Sequence, residues 1–234
     1  NTKWSWAFGP FSYIIMKKIL VVSCTLRSQE EKQDLKIFDS LRLLKNEIKV
    51  KIHFNNKEPL PVIYNQYLTK DTLKNHDIVV FAHDDLYVDD LKVKGKLDLA
   101  ANGLDIIGIA GCLNPKIKQP ALWHLMSDQK DWRGHVAHST PKEGVIYMTT
   151  FGPTPSRVAV IDGLFMAVNL KTVLQSDWKF NENFSFHHYD IASCLDANKK
   201  KLKLGVVPIN VIHDSGGLKD YNNKSYQESE KNFL

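Results

Sequence analysis

The sequence predicts an α/β fold: a single domain with a doubly wound, mainly parallel sheet and helices on both faces. From residue 18 to residue 110, apolar strand-like runs alternate with helix-like segments, an order typical of parallel sheets. Residues 78–82 form an unbroken, β-branched apolar run, which predicts a strand buried on both faces. With 234 residues, of which 43% are hydrophobic, the chain can bury one full core.

The individual elements follow from periodicity and turn signals. Between residues 30 and 46, apolar side chains such as Leu35, Phe38 and Leu41 recur at helical spacing. Asn55-Asn56 is a turn signal that ends the alternating run before it. In chain order we predict strand 18–24, helix 30–46, strand 48–54, helix 62–68, strand 78–82, helix 91–101, strand 106–110, helix 191–198 and an extended run 204–212.

Between residues 113 and 155 the periodic pattern gives way to Pro, Gly, His and Trp. This predicts a long loop, and such loops in compact domains tend to be functional or mobile. Trp123, His124 and Trp132 lie in it, and aromatic rings with polar tips suit stacking on sugar rings. An aromatic mini-core that holds the loop in place is an equal alternative for the tryptophans.

Composition restricts the class of protein and its compartment. The formal charge is +5, but the basic residues are scattered except at 199–203, where they follow a predicted helix and complement its C-terminal end. Because no aromatic residues interleave with them, nucleic-acid binding is not indicated. The three cysteines are widely separated, and their spacing is typical neither of a disulfide framework nor of a metal site. This favours the reducing cytoplasm as the compartment. Peripheral contact with the anionic inner membrane surface is the alternative, and no segment is long enough to span a bilayer.

The two ends of the chain differ from the rest. Residues 1–15 are rich in aromatic residues and precede Met16, so we interpret them as a non-native or upstream extension. Residues 218–234 are polar and are expected to form a peripheral tail. The predicted domain therefore spans residues 16–217.

The most informative segment is His83-Asp84-Asp85, which directly follows the buried strand at 78–82. In open α/β sheets, ligands bind at the carboxyl ends of strands. Two adjacent carboxylates repel each other unless a cation or hydrogen-bond donors balance them. The triplet is therefore either a metal site or a solvated acidic turn, and alone it does not decide between these.

Two further segments carry polar residues at ends of predicted elements. The extended run 204–212 leads into His213-Asp214 and then a Ser-Gly-Gly turn, where the backbone can approach a ligand closely. Upstream, His187 and His188 precede Asp190, which lies at or near the N-cap of a predicted helix. Taken singly, Asp190 is explained by helix capping and the histidines by a half-exposed loop.

In their order along the chain, these segments resemble the family 2-like glycosyltransferases, which have the GT-A fold. The set comprises the acidic motif after the strand, Asp162-Gly163-Leu164-Phe165, the segment 186–195, and Ile212-His213-Asp214-Ser215-Gly216-Gly217. The resemblance is strongest to a subgroup with a His-Asp-Asp form of the Asp-x-Asp motif and a terminal Ile-His-x-Ser-Gly-Gly. It covers residues 17–217, and the order and spacing of the segments are its most specific feature.

The resemblance implies a role for each of these residues. Asp85 and His213 would hold Mn²⁺ or Mg²⁺, whereas His83 replaces the usual first acid and receives no role. Asp190 would be the base of an inverting transfer, although Tyr189 stands where related sequences often have a second acid. The implied donor-binding residues are Ser23, Thr25, Arg27, Asp84, Asp162 and Gly163, and the candidate acceptor-binding residues are Trp123, His124, Trp132, His187 and His188.

The implied function is transfer of a sugar from a nucleoside-diphosphate donor to a hydroxyl of a glycan or other acceptor, in glycan or surface polysaccharide synthesis. One alternative is a non-catalytic nucleotide-sugar or carbohydrate-binding protein on the same fold. The other is a metal-dependent phosphoesterase or nucleotidyltransferase. It is disfavoured because two-metal hydrolysis needs more ligands, and because the first loop, 23–27, lacks glycine. The sequence does not indicate the oligomeric state.

Overall fold

The centre of the molecule is a seven-stranded sheet, in a computed structural model that describes residues 16–116, 122–140, 145–214 and 224–233. The strands are β1 (Ile19–Cys24), β2 (Ile48–His53), β3 (Ile78–Ala82), β4 (Leu86–Val88), β5 (Ile106–Gly108), β6 (Ala110–Cys112), β7 (Trp132–Thr140), β8 (Val145–Gly152), β9 (Ser156–Arg157), β10 (Val160–Ile161), β11 (Phe165–Asn169), β12 (Leu204–Val206) and β13 (Val211–His213). The helices are α1 (Lys36–Leu41), α2 (Leu60–Asn65), α3 (Lys70–Asn75), α4 (Val93–Ala100), α5 (Leu170–Gln175), α6 (Tyr189–Lys199) and α7 (Lys224–Phe233).

The central sheet is mixed: five of its seven strands run in one direction, and β9 and β11 run in the opposite direction. Its strand order is β2-β1-β3-β11-β5-β12-β9. Strands β1, β2 and β3 are parallel to one another, β11 is antiparallel to both β3 and β5, and β12 is parallel to β5. All five residues of β3 are buried, which explains its unbroken apolar sequence. The predicted α/β class is confirmed.

A second sheet, which the sequence did not reveal, packs beside the first. Its order is β10-β6-β7-β13-β4, and β8 pairs with β7. The prediction of a structureless loop from residue 113 to residue 155 is wrong over β7 and β8. These strands carry many Ser, Thr and His side chains, and residues 145–148 are exposed although they are apolar, so neither strand shows the alternation of a half-buried strand.

The two sheets exchange strands where the sequence predicted continuous runs. The predicted strand 106–110 divides between β5 in the central sheet and β6 in the second, and the run 204–212 divides in the same way between β12 and β13. Gly134 permits the close approach of β7 to this crossing. It has φ of 103°, and a Cβ there would lie 2.0 Å from the carbonyl oxygen of Ile109.

The helix predicted over residues 30–46 is broken into shorter pieces. A 3₁₀ segment at Gln29–Asp34 begins with a capping box between Ser28 and Glu31. Leu35 then adopts an extended conformation with its side chain buried, and α1 begins after it. The apolar spacing therefore reflects burial of one face, but not a continuous helix.

The other predicted helices match α2, α4 and α6 to within a few residues. Helices α2 and α6 are held against β3 by an aromatic cluster. The ring of Tyr64 in α2 lies 4.6 Å from that of Phe81 and 6.0 Å from that of Tyr189, measured between centroids.

Within the range expected to be a polar tail, residues 224–233 form helix α7. Tyr226 is only 4% exposed, and Ser229 is buried as well. Phe233 packs against Phe184, with ring centroids 5.9 Å apart. This helix therefore contributes apolar contacts to the domain. In the described ranges, no helix is both long and apolar enough to cross a membrane.

Candidate active site between the two sheets

The candidate site lies where the chain passes from β3 in the central sheet to β4 in the second. His83, Asp84 and Asp85 occupy this connection. The His83 backbone N–H donates to the carbonyl of Leu164 at 3.1 Å, and the Asp214 N–H donates to the carbonyl of Asp85 at 3.0 Å. Antiparallel pairing of β13 with β4 then brings His213 opposite Leu86, directly beside the acidic motif.

His83, Asp85 and His213 form a compact group of metal-ligating side chains. One ligand atom from each lies within 4.8 Å of the others, and His213 Nε2 is 3.4 Å from Asp85 Oδ2. In the described structure, His83 Nε2, Asp85 Oδ1 and His213 Nε2 are buried without a hydrogen-bond partner. Buried polar atoms normally have a hydrogen-bond partner, so atoms without one on three neighbouring metal-ligating side chains fit a divalent cation. The structure thus brings together the predicted ligands Asp85 and His213 and adds His83.

The electrostatics of this group suit cation binding at neutral pH. Burial opposes ionisation of Asp85, but interactions with His213 and His83 outweigh it, so the pKa of the carboxyl lies below its usual range. Burial lowers the pKa of the His83 imidazole. An ionised carboxylate and a neutral imidazole are the forms that coordinate a metal.

A cavity of 530 Å³ lies next to the cluster, at the end of β1. Its volume is within the range of small-molecule sites. It is lined by Cys24, Thr25, Leu26, Arg27, Asn56, Lys57, Glu58, Pro59, Leu60, Asp84, Ser185 and Phe186. Arg27 and Asp84 also line a smaller pocket of 80 Å³ that reaches Asp85. The two pockets therefore share Arg27 and Asp84, and the smaller one extends this region to Asp85 of the cluster.

Three of the predicted donor-binding residues, Thr25, Arg27 and Asp84, line this cavity, but Ser23 does not. Ser23 is fully buried within β1. The Thr25 hydroxyl accepts a hydrogen bond from the Arg27 N–H at 3.1 Å, which shapes the loop that forms one wall. Sequence position alone could not distinguish Ser23 from Thr25, because they are separated by only one residue at the end of the same strand.

Asp190 lies in the first turn of α6. Its carboxylate accepts hydrogen bonds from the N–H groups of Gly163 and Ile191, each at 2.8 Å. The N-cap position belongs to His188, which has φ of 61°, so Asp190 lies near the N-cap, within the first turn of the helix. Burial, and then the nearby charge of Asp162, raise the pKa of Asp190 to about 7. A carboxylate of this kind can accept a proton near neutral pH.

Asp162 and Gly163 are held close to Asp190. Asp162 Oδ1 accepts from the N–H of Leu164 at 2.9 Å, and its Oδ2 accepts from the indole N–H of Trp123 at 2.7 Å. Trp123 is only 4% exposed and packs edge-on against Phe151, at a centroid distance of 4.9 Å. This geometry favours a positioning role for Trp123 over stacking on a ligand.

The other candidate acceptor residues differ in exposure. His124 and Trp132 are half-buried, with ring centroids 6.0 Å apart. His188 is buried, its Nδ1 lies 2.9 Å from the Ser229 hydroxyl of α7, and burial followed by the charge of His187 lowers its pKa to about 4. His188 thus anchors α7, whereas His187 is half-buried and closer to solvent.

Sequence reasoning missed Phe186, which is 54% exposed. Its ring stacks on His83, with centroids 5.7 Å apart and an interplanar angle of 27°, and it also lines the large cavity. The residue immediately precedes the two histidines that the sequence singled out, but a lone aromatic in a loop carries no signal of its own.

Replacing Gly163 by alanine is expected to destabilise the protein by about 1–3 kcal/mol, because a Cβ there overpacks the site. That Cβ would lie 2.7 Å from Tyr189 Oη and 3.0 Å from Asp190 Cβ. Chemical denaturation measures the change. The control is Gly95→Ala in α4, where a Cβ meets nothing within 4 Å and alanine is expected to stabilise the helix. Equal stability of the two variants would contradict the tight packing at Gly163.

Comparison with known proteins identifies the family. A sequence profile described as the Glycosyltransferase like family matches residues 20–234. The chain belongs to this glycosyltransferase-like family. The comparison of the chain with curated proteins finds no match. The matched range extends through α7, so the family similarity includes the end of the chain as well as the site.

Two solved structures are similar to this glycosyltransferase-like chain, and the second of them bears on its fold. It is similar to the protein described as A197 from STIV, with 12% identity, a TM-score of 0.49, and coverage of 82% of each chain. It is also similar to GalNAc-T7, solved with UDP, GalNAc and Mn²⁺, with 9% identity and a TM-score of 0.50 over 86% of this chain. The match spans 44% of the GalNAc-T7 chain. The predicted GT-A type fold is confirmed, whereas Ser215, Gly216 and Gly217 of the terminal motif lie outside the described residues.

Proposed function

We propose that this protein transfers a sugar from a nucleoside-diphosphate donor to an acceptor hydroxyl, with inversion and with the help of a divalent cation. The observation that carries the proposal is the position of the 530 Å³ cavity beside the cluster of His83, Asp85 and His213: Asp84 lines the cavity, and it also lines the smaller pocket that reaches Asp85. A nucleoside would fill the cavity, and its diphosphate would extend past Asp84 to the cation.

The chain's own residues would divide the work as follows. Thr25, Arg27 and Asp84 would contact the nucleoside, since they line the cavity. Asp162 and Gly163 would border the donor sugar. Asp85 and His213 would hold Mn²⁺ or Mg²⁺, which neutralises the charge that develops on a departing diphosphate.

Asp190 would accept the proton of the acceptor hydroxyl as the oxygen attacks the anomeric carbon. Two features support this role: the carboxylate is oriented by two backbone N–H groups, and its pKa is raised to about 7. A base is most effective when its pKa is near the working pH. His124, Trp132 and His187 would border the acceptor, and Trp123 and His188 would position them. The reaction would belong to the synthesis of glycans or surface polysaccharides and would take place in the cytoplasm.

A non-catalytic nucleotide-sugar-binding protein is the second candidate. The observation in its favour is Tyr189, which stands where related sequences often have a second acid. Its hydroxyl donates to the carbonyl of Gly163 at 3.0 Å, and its side chain is buried. Tyr189 therefore supports the turn next to Asp190 but supplies no second carboxylate.

A thermal-shift panel of UDP, GDP, dTDP and CMP, each with Mn²⁺, Mg²⁺ or EDTA, tests the proposal. A nucleotide at a hundred times its dissociation constant should stabilise the protein by about 2.7 kcal/mol, and this gain should require the cation. Slow hydrolysis of the matching nucleotide sugar then distinguishes a transferase from a binding protein. If no nucleotide shifts the transition with any cation, the proposed function is wrong.

The pH at which the transfer activity rises should depend on the charge of Asp162. Because Asp190 must be ionised to act as a base and its pKa is about 7, activity should rise as the pH increases through about 7. Asp162→Asn removes a like charge, lowers the pKa of Asp190 and should move this acidic limb to lower pH. The control, Trp123→Phe, removes the indole donor but keeps the charge of Asp162, so it should not produce this shift. Profiles of donor hydrolysis against pH make the comparison, and an unmoved limb in Asp162→Asn would contradict the electrostatic coupling.

A further inference from the structure

We infer that β8, at an open edge of the second sheet, is an interaction surface that pairs with β8 of a second copy of this chain. The strand spans Val145–Gly152, and among the described residues it pairs with β7 and with no other strand. An edge of this kind presents backbone N–H and C=O groups to another strand. The inference concerns assembly, and it stands whether or not the protein transfers a sugar.

Both faces of β8 expose apolar side chains. Ile146, Tyr147 and Met148 are between 51% and 59% exposed. Because successive side chains of a strand point to opposite faces, Tyr147 lies on one face and the other two lie on the opposite face. No residue of β8 is charged, although 24% of the chain is Asp, Glu, Lys or Arg. A neighbouring strand with its own side chains would cover apolar surface on both faces at once.

The other sheet edges of the described structure are protected against pairing. Strands β9 and β10 have two residues each, and β4 has three. The longer edge strand β2 carries exposed lysines at positions 49 and 51. Short strands and edge lysines are devices that prevent edge-to-edge association. Strand β8 has eight residues and no lysine, so its edge fits one that is covered in the assembled protein.

A second copy fits this edge better than a lipid surface does. Backbone N–H and C=O groups need hydrogen-bond partners, and lipid tails supply none. An extended strand supplies them, and β8 itself is suitable: it is uncharged, and residues 145–150 keep a regular register with β7, since the irregularity lies at Gly134 and His135. Two antiparallel copies would meet without like charges opposite each other.

A contact of this type also has a definite stoichiometry. In an isologous contact the same surface is used on both partners, so this chain alone supplies both halves of the interface. Pairing of the two copies covers the β8 edge of each. The assembly therefore closes at a dimer with two-fold symmetry and does not continue into a filament.

The interface would border the candidate site. The ring of Tyr147 stacks on His138 of β7, with centroids 5.3 Å apart. The His138 ring centroid in turn lies 5.9 Å from that of His213. One aromatic ring therefore separates the exposed edge from the cluster at the end of β13. In a dimer, the hairpin of β7 and β8 would be held by β13 on one side and by the second copy on the other.

Analytical ultracentrifugation of the full chain over a range of concentrations tests the inference. Because a contact between two eight-residue strands is at the small end of interface sizes, the wild type should form a dimer with a Kd on the order of 10 μM. Hydrogen exchange gives a second readout. The β8 amides should exchange about threefold or more slowly at concentrations that favour the dimer, because strand pairing protects backbone N–H groups.

Two lysine variants remove the features that make the edge self-complementary. Ile146→Lys should weaken the dimer by about tenfold or more, since two copies would then bring like charges together, and Met148→Lys should do the same. The matched control is Leu43→Lys. Leu43 is 75% exposed but lies in the 3₁₀ segment Arg42–Leu44, so the same change in charge should leave the Kd within about twofold of the wild type. Circular dichroism and unfolding curves establish that each variant is folded.

The inference is wrong if the wild type stays monomeric at about 100 μM, ten times the expected Kd. It is also wrong if both β8 variants dimerise as tightly as the wild type, if Leu43→Lys weakens the dimer equally, or if the β8 amides gain no protection. Binding of a monomeric wild type, but not of Ile146→Lys, to vesicles of phosphatidylcholine and phosphatidylglycerol would identify a lipid surface as the occupant instead. Because none of these measurements involves a nucleotide, the proposed function is tested separately.

Discussion

Asp190→Asn should reduce sugar transfer by roughly a hundredfold or more while nucleotide binding is retained, since the amide cannot accept the acceptor proton. The fold should tolerate the change. The Asn carbonyl can still accept one of the two backbone N–H groups, and removing the charge eliminates the burial penalty that raises the pKa of Asp190. Because that penalty applies to the ionised form, stability above about pH 7 should not fall sharply. Donor hydrolysis serves as the first assay, and transfer follows once an acceptor is known.

The control for this experiment is Asp196→Asn, in the same helix. Asp196 pairs with Lys199 at 2.9 Å on the surface, outside the site, so its replacement should leave transfer and nucleotide binding unchanged. Undiminished transfer in Asp190→Asn would show that the carboxylate only orders the turn at Gly163. The base would then be sought at His187, and the family assignment would stand.

Asp85→Ala should abolish the part of nucleotide binding that depends on the cation. Asp85 supplies the one carboxylate of the converging cluster in the described residues, and without it two neighbouring imidazoles share the site with no anionic partner. In the thermal-shift assay, the stabilisation of about 2.7 kcal/mol expected at a hundred times the dissociation constant should fall to the value seen with EDTA.

Asp89→Ala is the matched control for Asp85. Asp89 is an exposed aspartate that follows β4, four residues further along the chain, and it lies outside the converging cluster. Its loss changes the net charge equally but should leave the cation-dependent shift intact. If Asp85→Ala retained the full shift, the cation would have to be held elsewhere, and the central premise of the proposed chemistry would be lost.

The sequence predicts the parts of the fold whose burial pattern is complete. Strand β3 is buried over all five residues, so its apolar run identifies it without ambiguity. The second sheet could not be predicted in this way, because β8 exposes apolar side chains at 145–148 and β7 carries His, Ser and Thr. The division of the runs 106–110 and 204–212 between two sheets could not be predicted either. A run of residues that passes from one sheet to the other keeps the same local pattern of apolar residues.

In the candidate site too, the residues marked by a local motif could be predicted, whereas those defined by contacts distant in sequence could not. Asp85 and His213 could be anticipated because each follows an apolar run at a recognisable motif. The triplet 83–85 was a possible metal site from the sequence, but the resemblance gave His83 no role; its place in the cluster depends on its closeness to two other side chains, one of them distant in sequence. For Trp123, the sequence left ligand stacking and an aromatic mini-core as equal alternatives, and the hydrogen bond from its indole N–H to Asp162 favours a structural role.

The passage of the chain from one sheet to the other within the cluster has a mechanical consequence. His83 follows β3 of the central sheet, whereas Asp85 directly precedes β4 and His213 lies in β13, and both of these strands belong to the second sheet. The distances from His83 to the other two side chains therefore depend on how the two sheets are aligned. A ligand that bound all three side chains would, by linkage, also stabilise this alignment.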